Sequence, residues 1–180
     1  MGRCFFGVDV RRLGSGNAGG TNTLRTLGWR AALPVMAVDV GKGVLAALLP
    51  RLAGVSEPAW LPAACALLAV LGHCYPVLAS FRGGKGVATG GGAVAVLAPW
   101  AALVCAVIWG VTVALTRLVS LASILAALAL PCAVLLLDDV LSPGLTPVAV
   151  TLALLVVWTH RSNIGRLLRR EEPRITVGKA

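Results

Sequence analysis

Residues 86–137 read GVATGGGAVAVLAPWAALVCAVIWGVTVALTRLVSLASILAALALPCAVLLL and contain one charged side chain, that of Arg117. A helix of roughly 20 apolar residues crosses the hydrocarbon core of a bilayer, so this stretch is long enough for more than one crossing. Three further stretches, each long enough for about one crossing, flank it at 31–50, 58–81 and 140–159. Only the first of them carries charge, at Asp39 and Lys42. The sequence therefore predicts an all-α fold, a polytopic integral membrane helical bundle.

The composition agrees with a membrane protein and argues against a nucleic-acid-binding one. Charged residues make up 13% of the 180-residue chain, whereas a soluble domain carries about 25%. The few charges are lopsided, with 16 Lys and Arg against 7 Asp and Glu. Proteins that bind single-stranded nucleic acid use aromatic stacking platforms, and only 5% of this chain is aromatic. We expect no nucleic-acid partner, and we expect the basic side chains to face the cytoplasm, anionic lipid or a phosphorylated substrate.

The cysteines and histidines give no metal or disulfide signature. The five cysteines show no paired spacing, and the chain has two histidines and no CxxC. Cysteines inside apolar runs usually behave as small buried hydrophobic residues. We therefore expect no bound metal and no cofactor.

The stretch 86–116 is long for one crossing and short for two, and the charges decide between them. A single crossing would place the basic tail outside the cytoplasm and Asp138–Asp139 inside, against the positive-inside rule. A helical hairpin broken near Pro99, with arms of about 15 residues, places Arg117 and the tail inside and Asp138–Asp139 outside. We therefore predict six crossings, with both chain ends and the polar, glycine-rich segments on the cytoplasmic side.

The first polar segment, residues 14–25, reads GSGNAGGTNTLR. It imitates the dinucleotide-binding GxGxxG pattern, with Asp39 twenty residues after Gly19, but that pattern requires a strand and a helix around it. Glycines let backbone N–H groups approach an anion, and Arg25 can bind a phosphate through two hydrogen bonds. The neutral donors of the segment are Ser15, Asn17, Thr21 and Asn22. An anion-binding segment is favoured, and a flexible polar loop is the alternative.

The second polar segment reads GHCYP at 72–76 and FRGGKGVAT at 81–89. It departs from the nucleotide-binding GxxxxGK[ST] loop, because Ala79 and Gly86 stand where that loop needs Gly and Ser or Thr. Lys85 is flanked by three glycines, and such a lysine can bring a charge and exposed backbone donors to a phosphate. The alternative is a lysine that only anchors the cytoplasmic end of a span.

The third polar cluster combines RLVSLAS at 117–123 with HRSNIGRLL at 160–168. Apolar Ile164, Leu167 and Leu168 alternate with arginines, which is typical of a short basic amphipathic helix lying on a membrane.

Two charged residues lie inside the first apolar stretch: Asp39 and Lys42 are three residues apart on one helical face. Because unpaired charges are costly in lipid, we expect these two to pair and face the bundle, with direct substrate contact as the alternative.

Together these motifs resemble the bacterial membrane glycerol-3-phosphate acyltransferases that use acyl phosphate as donor, the PlsY family. The resemblance runs through SGNAGGTNTLRTLG from Ser15, DVGKG from Asp39, GHCYPVLASFRGGKGVAT, RLVSLASI and HRSNIGRLL. It implies a bundle of seven helices with the active site at the cytoplasmic leaflet. The family has a further span with a Gly-Ser-x-Pro element before the first motif, so we expect residues 1–180 to lack that span. Arg170 replaces a usual Gly before the Glu that Glu172 matches.

The resemblance implies transfer of a fatty acyl group from acyl phosphate to the sn-1 hydroxyl of glycerol 3-phosphate, giving lysophosphatidic acid and phosphate. It implies catalytic roles for Lys85, Ser120, Ser123, His73 and His160. It implies substrate or phosphate binding by Ser15, Asn17, Thr21, Asn22, Arg25, Gly83, Gly84, Gly86 and Asn163, with Gly83, Gly84 and Gly86 supplying backbone donors. Asp39, Lys42 and Glu172 would be structural.

The same resemblance implies a single acyltransferase domain, 1–180, whose basic tail at 161–180 faces the cytoplasm. The expected location is the bacterial inner membrane, and the expected partners are the two substrates, membrane lipid and a PlsX-type enzyme that produces acyl phosphate. The alternative hypotheses are a small transporter and a non-catalytic truncated scaffold. A transporter would show an inverted repeat, and the sequence contains no convincing one.

Overall fold

The computed structural model describes residues 7–55, 58–138 and 144–175, and within them the fold is entirely helical. Two 3₁₀ turns lie at Val10–Arg12 and Val77–Ala79. The α-helices are α1 (Gly20–Leu27), α2 (Trp29–Leu52), α3 (Leu61–Cys74), α4 (Val87–Leu97), α5 (Pro99–Thr116), α6 (Val119–Leu137), α7 (Leu145–Thr159) and α8 (Arg161–Leu168). The predicted fold class is confirmed by this helical architecture.

The chain breaks where the sequence predicts. Helix α4 ends at Leu97, Ala98 has an extended φ of −145°, and Pro99 begins α5. The exposed N–H groups at the start of α5 are bound by Asp138 at the end of α6, at 3.4 Å from Trp100 N and 2.8 Å from Ala101 N. The break divides the stretch into 11 and 18 residues rather than into two equal arms. Asp139, predicted to lie beside Asp138, is outside the described residues.

The helices differ in their capacity to cross a bilayer. Among the described residues, α2, α5 and α6 are long and apolar enough to cross, and α7 qualifies if it is counted together with α8, from which it is bent by 59°. Helices α3 and α4 are apolar but short. Helix α3 ends at Cys74 because Pro76 disfavours helical backbone at the residue before it. Six crossings therefore stay a prediction.

Two glycines allow α2 and α4 to pack closely. A Cβ added to Gly43 of α2 would lie 2.0 Å from the carbonyl oxygen of Thr89. A Cβ added to Gly92 of α4 would lie 2.3 Å from the carbonyl oxygen of Val40. Small residues at such crossings let helix backbones approach within a membrane. This crossing packs the short helix α4 against α2. The main core of the bundle is made by α3, α5, α6 and α7.

Hydrogen bonds show which chain segments lie at the same end of the bundle. Arg25 donates to the carbonyl of Pro173 at 2.8 Å, and the N–H of Ile175 donates to the carbonyl of Arg117 at 2.9 Å. Lys85 donates to the side chain of Asn163. All three polar segments and the tail therefore meet at one end, called the site end below, and Asp138 marks the opposite end. Of the tail 161–180, residues 176–180 are outside the described part.

Candidate active site

A cavity of about 740 Å³ opens at the site end and extends between the helices. Its polar lining includes Ser15, Arg25, Lys85, His160, Asn163 and Glu172. Its apolar lining includes Pro99, Ala102, Ala106, Ala126, Leu130 and Leu152. From Ser120 to Leu130 the lining follows α6 for ten residues, which corresponds to about 15 Å of helix. The cavity thus has a charged end and a long apolar end.

The N-terminal segment reaches the cavity, and one of its residues has a structural role that the sequence did not indicate. The side chain of Asn22 is buried, and its Oδ1 accepts from the N–H of Ser15 at 2.9 Å. Its Nδ2 faces the carbonyl oxygens of Val10, Leu13 and Asn17 at 2.9–3.0 Å. Both polar atoms of Asn22 are therefore bound by the loop itself. Asn22 therefore holds the loop in shape; it also lines the cavity, and its contact with substrate stays a prediction.

The other predicted donors of this segment lie along the cavity wall. Ser15, Asn17, Thr21 and Arg25 all line it. Arg25 donates through Nη2 to Pro173, whereas its Nε is buried and has no hydrogen-bond partner within the described part of the chain. Burial lowers the pKa of Arg25, but a guanidinium stays protonated at neutral pH. Arg25 therefore keeps charge and donor capacity available at the cavity.

Lys85 lies at the centre of the charged end. Its ammonium group donates to Oδ1 of Asn163, and its carbonyl accepts from the hydroxyl of Thr159 at 3.1 Å. Burial lowers the pKa of Lys85 to about 8. Glu172 opposes that shift, and the charges of Arg166 and Arg25 add to it. Three cations and one carboxylate thus act on each other here, an excess of positive charge suited to an anionic ligand.

The glycines around Lys85 have a packing role in addition to the predicted one. The N–H of Gly84 donates to the carbonyl of His73 at 3.1 Å, so this N–H already has a protein acceptor, and phosphate binding by Gly84 stays a prediction. A Cβ on Gly83 would lie 2.0 Å from the same carbonyl, and a Cβ on Gly86 would lie 2.7 Å from Val70. Gly86 also has a φ of +81°, which favours glycine. Gly84 and Gly86 line the cavity.

Helix α8 and the segment after it complete the charged end. Glu172 accepts from Asn163 Nδ2 and from Arg166 Nε, both at 2.7 Å. Burial alone would raise the pKa of Glu172, but these two bonds and the nearby Ser120 hydroxyl hold it below its usual value. Lys85, Asn163, Glu172 and Arg166 therefore form one continuous polar chain. Glu172 was predicted to be structural, and here it binds Asn163 and Arg166 together.

His160 lies between α7 and α8 and is buried. Its Nδ1 donates to the carbonyl of Val156 at 2.8 Å, which leaves Nε2 as the acceptor nitrogen of the neutral ring. Burial lowers the pKa of His160 to about 4, and the charge of Lys85 acts in the same direction. The ring is therefore neutral at pH 7 and presents a lone pair at the cavity wall.

The two predicted serines differ in availability. Ser123 donates to the carbonyl of Val119 at 2.8 Å and accepts from the indole of Trp109 at 3.2 Å. Ser120 is buried and faces Glu172, yet no atom among the described residues meets its Oγ with hydrogen-bond geometry. Both line the cavity. Ser120 is therefore better placed than Ser123 to bind a substrate atom.

Asp39, Lys42 and His73 form a cluster on α2 and α3, and Asp39 and His73 line the same cavity as Lys85. Lys42 Nζ lies 2.6 Å from Asp39 Oδ1, and both lie next to Nδ1 of His73. The Asp39 and His73 side chains are only 10% and 8% exposed. The structure thus pairs Asp39 with Lys42 and adds His73, for which the family resemblance implies a catalytic role.

Three residues of the site were missed by the sequence reasoning. Arg166 binds Glu172, Trp109 binds Ser123, and Pro173 binds Arg25. Arg166 could have been found, because it lies three residues after Asn163 and so shares its helix face. Nothing local signals Pro173, whose carbonyl is 148 residues from Arg25. Among the described residues, no group of His, Cys, Asp and Glu is arranged to hold a metal ion.

Comparisons with known proteins agree with this geometry. The family model "Glycerol-3-phosphate acyltransferase" matches residues 1–170. A protein of that name from Synechococcus sp. (strain CC9902) is 44% identical over 174 residues, covering 97% of this chain and 85% of the relative. A second one, from Anaeromyxobacter sp. (strain Fw109-5), is 44% identical over 183 residues, covering 98% and 88%.

Two crystal structures of PlsY (YgiH), described as an integral membrane glycerol 3-phosphate acyltransferase, have the same fold. The glycerol 3-phosphate form superposes with a TM-score of 0.86 at 37% identity, covering 94% of this chain and 84% of that one. The lysophosphatidic acid form superposes with a TM-score of 0.81 at 36% identity, covering 90% and 81%.

Proposed function

The chain belongs to the glycerol-3-phosphate acyltransferase family, and from that premise we propose how its cavity transfers a fatty acyl group. The acyl group passes from an acyl phosphate to the sn-1 hydroxyl of glycerol 3-phosphate, and the products are lysophosphatidic acid and phosphate. One observation carries the proposal: a single cavity joins a cluster of cations to a long apolar channel. Both substrates are anionic, and one of them carries a fatty chain.

The charged end binds the phosphate groups. Lys85, Arg25 and Asn163 supply donors, and Ser15, Asn17 and Thr21 extend the polar wall on the side of α1. A bond between a charged donor and a phosphate contributes about 1.5–3 kcal/mol. Arg25 and Lys85 reach the cavity from segments sixty residues apart in sequence, so the two phosphate groups can be held side by side.

The apolar end holds the acyl chain. Small side chains from α5 and α6, such as those of Ala102, Ala106 and Ala126, leave the channel open over about 15 Å. Burial of each methylene contributes roughly 0.8 kcal/mol, so a fatty chain is bound firmly without directional contacts. Ser120 and His160 line the cavity where the apolar channel begins, and we assign the acyl carbonyl to this boundary between the two ends.

Positioning and charge neutralisation supply most of the acceleration, because an acyl phosphate is already an activated anhydride. The glycerol oxygen forms the new ester bond to the acyl carbon, the carbon–oxygen bond to phosphate breaks, and phosphate leaves. His160 Nε2 accepts a hydrogen bond from the attacking hydroxyl and orients it. A histidine with a pKa of about 4 is a weak base, whereas a phosphate oxygen has a pKa near 6. We therefore assign the proton to a substrate phosphate, and we assign Ser120 to the acyl donor.

The protein is an integral membrane protein, and its finer placement belongs to this proposal. We propose that residues 1–180 act as one membrane domain in a bacterial inner membrane, with the site end and the tail 161–180 facing the cytoplasm. A PlsX-type enzyme on that side would supply the acyl phosphate. The support is the basic charge at the site end, where Arg82, Arg117, Arg161 and Arg169 lie, since cytoplasmic ends carry excess Lys and Arg.

An assay with purified protein tests the activity. The detergent-solubilised protein is supplied with palmitoyl phosphate and radiolabelled glycerol 3-phosphate, and lysophosphatidic acid is measured. We expect product from wild type and a loss on the order of 100-fold in kcat/KM for Lys85→Ala. Arg82→Ala is the matched control, because Arg82 is an exposed cation of the same loop and should keep its activity.

A second arm tests the donor. Palmitoyl-CoA replaces palmitoyl phosphate, and we expect no lysophosphatidic acid. Product from the thioester alone would contradict an acyl-phosphate donor. If folded wild-type protein gives no product from either donor, the result would contradict the acyltransferase activity and favour the hypothesis of a non-catalytic scaffold.

A further inference from the structure

The loop that carries Lys85 rests directly on the end of α3. The N–H of Gly84 donates to the carbonyl of His73, and Gly83 lies against the carbonyls of His73 and Cys74. The imidazole of His73 lies against Gly84 from the side: a Cβ on Gly84 would be 2.0 Å from Nε2. Backbone and side chain of His73 therefore both contact the residue that precedes Lys85.

The ring of His73 is itself held from the other side. Its Nδ1 lies 3.3 Å from Asp39 Oδ1 and next to the ammonium group of Lys42. Asp39 is buried in α2, and the ring is 8% exposed. Buried ionic groups keep their geometry when every member has a partner. A rigid connection thus runs from α2 through the His73 ring to Gly84 and Lys85.

This environment differs from that of His160. His160 has one nitrogen bound to a backbone carbonyl and one facing the cavity. His73 has Nδ1 against an ion pair and Nε2 against the backbone of Gly84. His73 also lines the cavity, but both of its ring nitrogens lie against protein atoms, whereas a general base needs a nitrogen within hydrogen-bond reach of a substrate proton.

We propose that His73 is a positioning residue that fixes the Gly83–Gly84 backbone, and through it the ammonium group of Lys85, for phosphate binding. The assignment rests on the proposed function of the cavity. This role replaces the catalytic role that the family resemblance implied for His73. The Asp39–Lys42 pair then contributes to the site by holding the His73 ring in position.

A double-mutant cycle tests the connection. His73→Ala, Lys85→Ala and the double variant are assayed for kcat and for KM of both substrates. We expect His73→Ala to raise KM for the same substrate as Lys85→Ala, on the order of tenfold, with kcat within about threefold of wild type. The double variant should be little worse than Lys85→Ala, because residues that act through one another are not additive. A fall in kcat at unchanged KM, or additive effects, would overturn the proposal.

A size exchange tests the contact itself. Gly84→Ala should lose most phosphate affinity in wild type, because its methyl group would collide with the His73 ring. In the His73→Ala background the same substitution should cost several-fold less. An equal cost in both backgrounds would overturn the proposal, since the ring would then not be what limits position 84.

A binding measurement separates this proposal from the proposed function. Stabilisation of the folded protein by added glycerol 3-phosphate or inorganic phosphate, read as a rise in Tm, needs no turnover. We expect this rise to shrink in His73→Ala and to shrink further in Lys85→Ala. It should persist in Asp138→Ala, a substitution of a buried carboxylate at the opposite end that reports general destabilisation. An undiminished rise in His73→Ala would overturn the positioning role, whereas absence of turnover by wild type would count against the acyltransferase reaction alone.

Discussion

The amino group of Lys85 shows how burial adapts one residue to its ligand. In water an ammonium group titrates near pH 10.4, but here burial lowers the pKa of Lys85 to about 8. The cost of burial is recovered when an anion enters, because the substrate phosphate then compensates the charge. The lysine is therefore charged at pH 7 and close to losing that charge at a mildly alkaline pH.

The KM for the phosphate substrate that Lys85 binds should depend on pH. Because only the charged lysine binds the phosphate, KM should rise about tenfold between pH 7 and pH 9. In Lys85→Arg the guanidinium stays charged throughout this range, so the KM of this variant should not change between pH 7 and pH 9, whatever its absolute value. Initial rates across the pH range at varied substrate concentrations measure this. An identical rise in both proteins would assign the pH dependence to another group.

Asn22 is the residue whose role the sequence could not reveal. As a polar side chain in a glycine-rich segment it looks like a phosphate donor, and its actual partners are three carbonyls and one N–H of the same loop. These partners depend on how the loop folds back on α1. Asn17, Thr21 and Asn22 all line the cavity, and substrate binding by each of them stays a prediction.

Asn22→Ala should therefore reduce stability more than binding. Loss of several buried hydrogen bonds predicts a decrease of about 2–3 kcal/mol in the free energy of unfolding. Thermal unfolding in detergent measures this, with Thr21→Ala as the control on the neighbouring residue. An unchanged Tm together with a raised KM would return Asn22 to the substrate-binding set.

At the scale of the helices, α8 ends in a turn that its sequence does not favour. Glu171 N–H donates to the carbonyl of Arg166 at 2.8 Å, and Arg170 N–H donates to that of Leu167 at 3.0 Å. This is the pattern of a helix end closed by a left-handed residue. Here that residue is Arg170, with a φ of +57°, where glycine would be free of strain. The turn is needed, because it returns Glu172 to Asn163.

Arg170→Gly should stabilise the protein. Relief of the left-handed conformation predicts a gain of about 0.5–1 kcal/mol, with no decrease in activity because Arg170 is exposed. Chemical or thermal unfolding of both proteins in the same detergent measures it. Arg169→Gly, one residue earlier with a φ of −85°, is the matched control and should not stabilise.

The crossing of α2 and α4 makes an equally local prediction. Gly43→Ala would place a methyl group 2.0 Å from the Thr89 carbonyl, so α4 must shift, at a cost of about 1–3 kcal/mol. Gly41→Ala in the same helix meets no atom within 4 Å and should be neutral. The amount of folded protein that elutes as a single species, and its Tm, compare the two. Equal behaviour would mean that the crossing tolerates a wider separation.

Two features of the fold could be predicted from the sequence. They are the hairpin near Pro99 and the position of the polar segments at one end of the bundle. Proline and the charge pattern are local signals, and the structure breaks the helix at Ala98. The contacts of Gly84 with His73 and of Arg25 with Pro173 are not local. They depend on which helix ends lie next to each other in the bundle. The helices have similar apolar compositions, so the sequence contains no pattern that predicts which of them pack together.

For the whole molecule, the tryptophans mark two levels. Trp29 and Trp158 lie at the site end of α2 and α7, and Trp60 and Trp100 lie at the opposite end, next to or within the first turn of α3 and α5. All four are more than half exposed. Tryptophans concentrate at both membrane–water interfaces. The fifth, Trp109, instead turns inward to Ser123. The bundle therefore has two aromatic belts, with the charged cavity at the level of one of them.

This arrangement predicts the orientation of the chain in the membrane. Arg82 and Arg170 lie at the site end, and Arg51 lies near the far end of α2, about 33 Å from Trp29 along the helix. Single cysteines at 82, 170 and 51, in a background without the five native cysteines, are treated with a membrane-impermeant maleimide in vesicles of known orientation. We expect Arg82→Cys and Arg170→Cys to react only from the cytoplasmic side and Arg51→Cys only from the other. Labelling of positions 82 and 51 from the same side would contradict the orientation, and labelling of 82 and 170 from opposite sides would mean that the polar segments do not share one site.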